Sequence, residues 1–170
     1  MKVVNTYSYS HLEDFVKTFY TKLNVQHPID LNILQIAKEL HIQVFYWPNS
    51  SQSLFFGQTS YIFLNNQLSP QQHWQDFCHE LCHVLLHKGD QMNLAPLFRE
   101  YQEYKANNFS LHTAIPTFML QQIKLPNDYY QAIRIIQDTF NVEENFAKKR
   151  LESYLTKYLD VSDSLKMSYR

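Results

Sequence analysis

At 170 residues, 45% hydrophobic and 15% aromatic, the chain holds enough apolar material for one globular unit with a full core. Its net charge of −1 and pI near 6.7 lack the basic footprint that nucleic-acid binders usually carry. Two glycines argue against a Gly-rich phosphate loop and against an all-β fold built from tight turns, so helix should dominate.

Residues 1–10 contain no apolar run of signal-peptide length, and no later stretch approaches 18 apolar residues. A cytosolic location with reduced Cys78 and Cys82 is the expectation, since a bond between cysteines four apart would staple nothing. Along residues 8–24, His11, Leu12, Phe15, Val16, Phe19, Tyr20 and Leu23 recur at three and four, which predicts an amphipathic helix. Asp30 is positioned to cap a second helix with Ile33, Ile36, Ala37 and Leu40 on one stripe. The run Ile42 to Trp47, stopped by Pro48, predicts a strand, and Leu54 to Gly57 with Tyr61 to Leu64 predict a hairpin. The expected fold class is therefore α+β: mainly helical, with a small sheet of about three strands, mainly antiparallel.

Ser69-Pro70 marks a helix start, with serine as cap and proline at the first position, and Gly89 can end that helix. Further helices are expected from Leu97 to about His112, over 116–124, from Asp128 to Phe140 and from Glu143 to Leu159, the last two as a hairpin.

Inside the helix that begins at Ser69 lies His79-Glu80-Leu81-Cys82-His83. Histidines four apart share a helix face, and a glutamate after the first sits about 100° round from it, which suits a zinc-dependent hydrolase. Such a site takes a third protein ligand and keeps one position for water. The next helix offers Glu100 and Glu103. Glu103 shares a face with the small or polar Ala106, Asn107 and Ser110, which would let the two helices approach, so it is the preferred ligand. Glu80, off the ligand face, is assigned as general base. Asn107 is assigned a supporting role, holding a ligand histidine through its other ring nitrogen. His87 extends the ladder but drifts off the ligand face. Tyr101, Tyr104, His112 and His73 all remain candidates for stabilising an oxyanion. A structural site built from Cys78, Cys82, His79 and His83 is a rival reading; the favoured one makes the cysteines small packing residues.

The strings Phe77-Cys78-His79-Glu80-Leu81-Cys82-His83-Val84-Leu85-Leu86-His87 and Glu103-Tyr104-Lys105-Ala106-Asn107-Asn108-Phe109-Ser110, the latter followed by Ala114-Ile115-Pro116, resemble the ImmA/IrrE family of zinc metallopeptidases over roughly residues 25–160. Cysteines stand where the family commonly has alanine and glycine. The resemblance implies a zincin-like metallopeptidase domain over 1–124, a C-terminal helical hairpin over 125–170 available for substrate docking, and one zinc ion held by His79, His83 and Glu103. It further implies an anti-repressor, often carried by mobile elements, that cleaves a helix-turn-helix repressor. The alternative is a non-proteolytic, repressor-binding or toxin-like partner with a structural or vestigial metal site. Lys148, Lys149 and Arg150 are expected to form a solvated face, with no direct nucleic-acid binding and no membrane contact.

Overall fold

The computed structural model of the chain describes residues 7–86 and 95–167. The elements run α1 (His11–Lys22), a 3₁₀ turn (Pro28–Asp30), α2 (Ile33–Glu39), β1 (Ile42–Trp47), β2 (Gln52–Phe56), β3 (Thr59–Asn65), α3 (Pro70–Leu86), α4 (Pro96–Ala114), α5 (Thr117–Leu120), α6 (Tyr129–Phe140) and α7 (Glu144–Met167). The fold is thus α+β and mainly helical, as the periodicities predict. Among the described residues no helix is long and apolar enough to cross a membrane.

Helix starts follow local chemistry. Ser10 and Glu13 close a capping box on α1, and Ser69 Oγ accepts from Gln72 N–H at 3.2 Å at the head of α3. Asp30 does not cap α2. Its carboxylate accepts from the Gln26 and His27 N–H groups within the 3₁₀ turn, and Asn32 caps the helix instead, accepting from Gln35 N–H at 3.0 Å. His87 and Gly89 lie outside the described residues.

The sheet is mixed rather than mainly antiparallel, in the order β1-β3-β2. Strands β2 and β3 form the expected hairpin, turning through Gly57 at φ +61, a conformation that favours glycine. Strand β1 pairs in parallel with the far side of β3, from Ile42 opposite Ser60 to Trp47 opposite Asn65. The intervening loop is held by Trp47 Nε1–H on the Ser50 carbonyl (3.1 Å) and Asn65 N–H on Ser51 Oγ (3.1 Å), which leaves β3 the central place. Ile42, Ile62 and Leu64 enter the core, together with Trp74, Phe77 and Leu81 of α3 and Phe109 of α4.

A buried polar knot ties α1 to α5 and α7. The Glu13 carboxylate accepts from Tyr7 Oη (2.5 Å), Thr117 Oγ1 (2.6 Å), Ser10 N–H (2.8 Å) and Lys157. Arg150, expected on a solvated face with Lys148 and Lys149, is instead completely buried, while the two lysines are exposed. Its Nε donates to the Ile115 carbonyl at 3.0 Å and its Nη2 to Thr117 Oγ1 at 2.6 Å. A guanidinium that finds an acceptor and a nearby carboxylate can be buried where an isolated one cannot. Burial alone would raise the Glu13 carboxyl, but the hydrogen bonds from Lys157, Thr117, Tyr7 and Ser10 outweigh it and hold the group well below the ordinary carboxylate range.

His112 of α4 adjoins this knot, its Nδ1 4.0 Å from Glu13 Oε1. Burial, then Arg150, pushes its pKa down to about 4 from an ordinary 6.5, against the pull of Glu13 and with Lys157 adding to the depression. The unfolded chain therefore binds a proton below pH 6.5 that the folded chain refuses until about pH 4. Stability falls as pH drops through that window, by roughly 3 kcal/mol. Urea titrations at stepped pH should show this limb in the parent and not in His112→Leu. A parallel fall in both would remove His112 as its source.

Candidate metal centre

Helix α3 carries His79 and His83 on one face, and α4 crosses it closely enough to bring Glu103 over both. The close approach rests on small side chains: Cys78 and Cys82 on α3, and Ala106 and Ser110 on α4, are all buried. Asn107, expected on that same face, is exposed, and its carbonyl accepts from Ser110 Oγ at 2.9 Å.

The geometry is tight. His79 Nε2 lies 3.2 Å from Glu103 Oε2, His83 Nε2 lies 3.3 Å from Glu103 Oε1, and the two Nε2 atoms are 3.2 Å apart. Bonds of ~2.0–2.1 Å to one tetrahedral ion would separate three ligand atoms by ~3.3–3.4 Å, so the spacing fits three corners of such a site with the fourth open. Charge points the same way. Imidazole nitrogens free of protons at Nε2 would turn lone pairs toward each other and toward a carboxylate, and a cation at the centre relieves that repulsion. His83 is buried, while the side chains of His79 and Glu103 are 20% and 46% exposed, so the cluster opens to solvent on one side.

Glu80 is buried beside the cluster. Burial raises its carboxyl above the ordinary range, opposed by His79 and by a hydrogen bond from the Ser53 hydroxyl, with Glu103 and Asp76 adding to the rise. Ser53, on β2, was invisible to sequence reasoning: nothing in a serine within a strand indicates that its strand will edge the helix carrying Glu80.

Other candidates fall elsewhere. His73 Nε2 is 2.8 Å from the Asn65 carbonyl and its ring packs on Tyr46, and His112 sits against the Glu13 knot. Neither is directed to the cluster. Tyr101 and Tyr104 are exposed on α4, on either side of Glu103 in sequence. Burial raises both thiols, Cys82 up to about 12, and neither sulfur is among the converging ligand atoms, which come from His79, His83 and Glu103. Replacing both with alanine should leave bound metal per chain unchanged in elemental analysis and lower stability by about 1 kcal/mol each. Loss of metal would restore the mixed cysteine/histidine site.

A helical α+β scaffold with two histidines and a glutamate converging from adjacent helices defines a candidate metallopeptidase. Residues 26–152 match the family model of the IrrE N-terminal-like domain, Peptidase_M78, and the chain belongs to that family. It is 39% identical over 160 residues to the phage-like element PBSX protein XkdA of Bacillus subtilis, covering 94% of this chain and 81% of that protein. It is also 36% identical over 151 residues to the YqaB protein of the same organism, covering 89% of this chain and 88% of that one. Among solved structures, a Mycobacterium tuberculosis transcriptional regulator shares the fold with a TM-score of 0.57 at 16% identity, over 82% of this chain. The chain spans 46% of that regulator's length.

Proposed function

We propose that the chain is a cytosolic zinc endopeptidase that cuts a helix-turn-helix transcriptional repressor and so relieves repression. The carrying observation is the convergence of His79, His83 and Glu103 with Glu80 buried alongside. A single zinc ion held by the three would polarise a water and the peptide carbonyl. Glu80 takes the proton of the attacking water and delivers it to the leaving amine, while the Ser53 hydroxyl fixes the carboxylate's orientation. The exposed side of the cluster admits an extended segment of the substrate. Lys148 and Lys149, the exposed pair on α7, give too thin a basic surface for direct nucleic-acid binding.

The test uses a helix-turn-helix regulator, sought first among the genes that neighbour the one for this chain. Incubated with the zinc-loaded protein and examined by mass spectrometry, it should yield two fragments from one cut, and a chelator should suppress the cut. A regulator that stays full length while its repression is relieved would favour sequestration over proteolysis.

A further inference from the structure

The three strands contain no charged residue, in a chain that is 18% charged. Strand alternation sends Ile42, Ile62 and Leu64 into the core and turns Phe45, Trp47, Leu54, Phe56, Tyr61 and Phe63 to the opposite face. Four of these pack together, Phe45 against Tyr61 at 6.4 Å and Phe63 at 5.6 Å between ring centroids and Trp47 against Phe63 at 5.3 Å. Yet Phe45 is 47% exposed and Phe56 81% exposed. Gln43, Gln52, Thr59 and Asn65 share that face, but it carries no charge and its large side chains are apolar, the pattern of a sheet covered on both faces, and edge strands ordinarily carry charge to discourage pairing. Here neither edge, β1 or β2, does.

We propose that this outer face docks the apolar side of one helix of the regulator that the chain cuts. The proposal rests on the proteolytic reading above and names how that substrate is held. Size selects the occupant. Three strands about 4.8 Å apart and about five residues long give a face of roughly 15 by 17 Å, or ~250 Å². A stable pair of globules needs ~800 Å² from each partner, which this face does not offer a second copy of the chain. A helix ~10 Å across and about 11 residues long covers it. The absence of Lys and Arg disfavours nucleic acid, whose phosphates need them, and a membrane of anionic lipid for the same reason. The face also adjoins the candidate metal centre through one strand. Ser53 of β2 turns inward to Glu80, and the next residue, Leu54, turns outward. A helix on the outer face therefore leaves its flanking chain one strand-width from the site, around the β2 edge.

The experiment compares the zinc-loaded parent with Phe45→Ser/Phe56→Ser, both carried also in a Glu80→Gln background that holds the regulator uncut. Circular dichroism melting checks that the exposed substitutions leave the fold intact, and Phe56→Leu serves as the conservative control. The double variant should bind the whole regulator 10- to 100-fold more weakly and cut it with a correspondingly raised KM. Its kcat/KM on a short peptide spanning the cut site should match the parent's, and Phe56→Leu should bind nearly as the parent does. Equal binding of the regulator by parent and double variant overturns the docking surface, as does a parent that does not bind it. A face that instead mediates dimers, seen by sedimentation and abolished in the double variant, overturns it as well. Failure of the parent to cut, with the binding difference intact, overturns the proteolytic reading and leaves the docking result standing.

Discussion

Glu80→Gln will slow cutting of the regulator by roughly 10²–10⁴-fold while the chain folds and holds its metal as before. The carboxamide keeps the size of the side chain and an oxygen to accept from Ser53, but it cannot take a proton from water. It also removes a carboxyl that burial already disfavours as an anion, so the substitution should cost little stability. Fragment quantification beside elemental analysis separates chemistry from metal binding: fragments should fall and metal should stay at one per chain. Cutting at the parent rate would remove Glu80 as the base.

The second large effect concerns the fold. Glu13→Ala will destabilise the chain by about 3–5 kcal/mol, because it strips a buried carboxylate from a buried guanidinium. Arg150 would keep the Ile115 carbonyl and Thr117 as acceptors, but Glu13 Oε1, 4.0 Å from its Nη2, would be gone. Lys157→Ala should cost less, about 1 kcal/mol, since that side chain is a third exposed and water can replace part of its contact. Urea midpoints measure both. Removing the charges together, as Glu13→Gln with Arg150→Met, should recover much of the loss, and strict additivity would show that the two groups do not act as a pair.

The clustering of His79, His83 and Glu103 was legible in the sequence because helix geometry converts spacing into direction: i and i+4 share a face, and small residues on α4 announce a close crossing. Asn107 is exposed although it stands four after Glu103, because α4 buries the face carrying Ala106, Phe109 and Ser110 and leaves Asn107 and Asn108 outside it. Arg150 leaves the expected basic face because of helix direction. Three consecutive basic residues look like one patch on paper, but neighbours on a helix point 100° apart, and α7 sends Lys148 and Lys149 outward and Arg150 in. Strand composition located β1, β2 and β3, yet alternation says which face a side chain takes and not which strand lies beside it. The parallel pairing of β1 with β3 comes with hydrogen bonds of the 48–51 loop, Trp47 Nε1–H to the Ser50 carbonyl and Asn65 N–H to Ser51 Oγ, which strand composition does not announce.

The Glu13 knot also bears on the order in which the chain is made. Glu13 leaves the ribosome more than a hundred residues before Thr117, Arg150 and Lys157, the groups that neutralise and bond it. Until α7 is synthesised, closing α1 onto α5 would bury a carboxylate with no cation, at a cost of several kcal/mol. A nascent chain therefore gains by leaving its first helix undocked until its last has emerged, so the first helix made is among the last to lock. Ribosome-stalled chains of increasing length should show α1 open to proteolysis until Lys157 is clear of the exit tunnel.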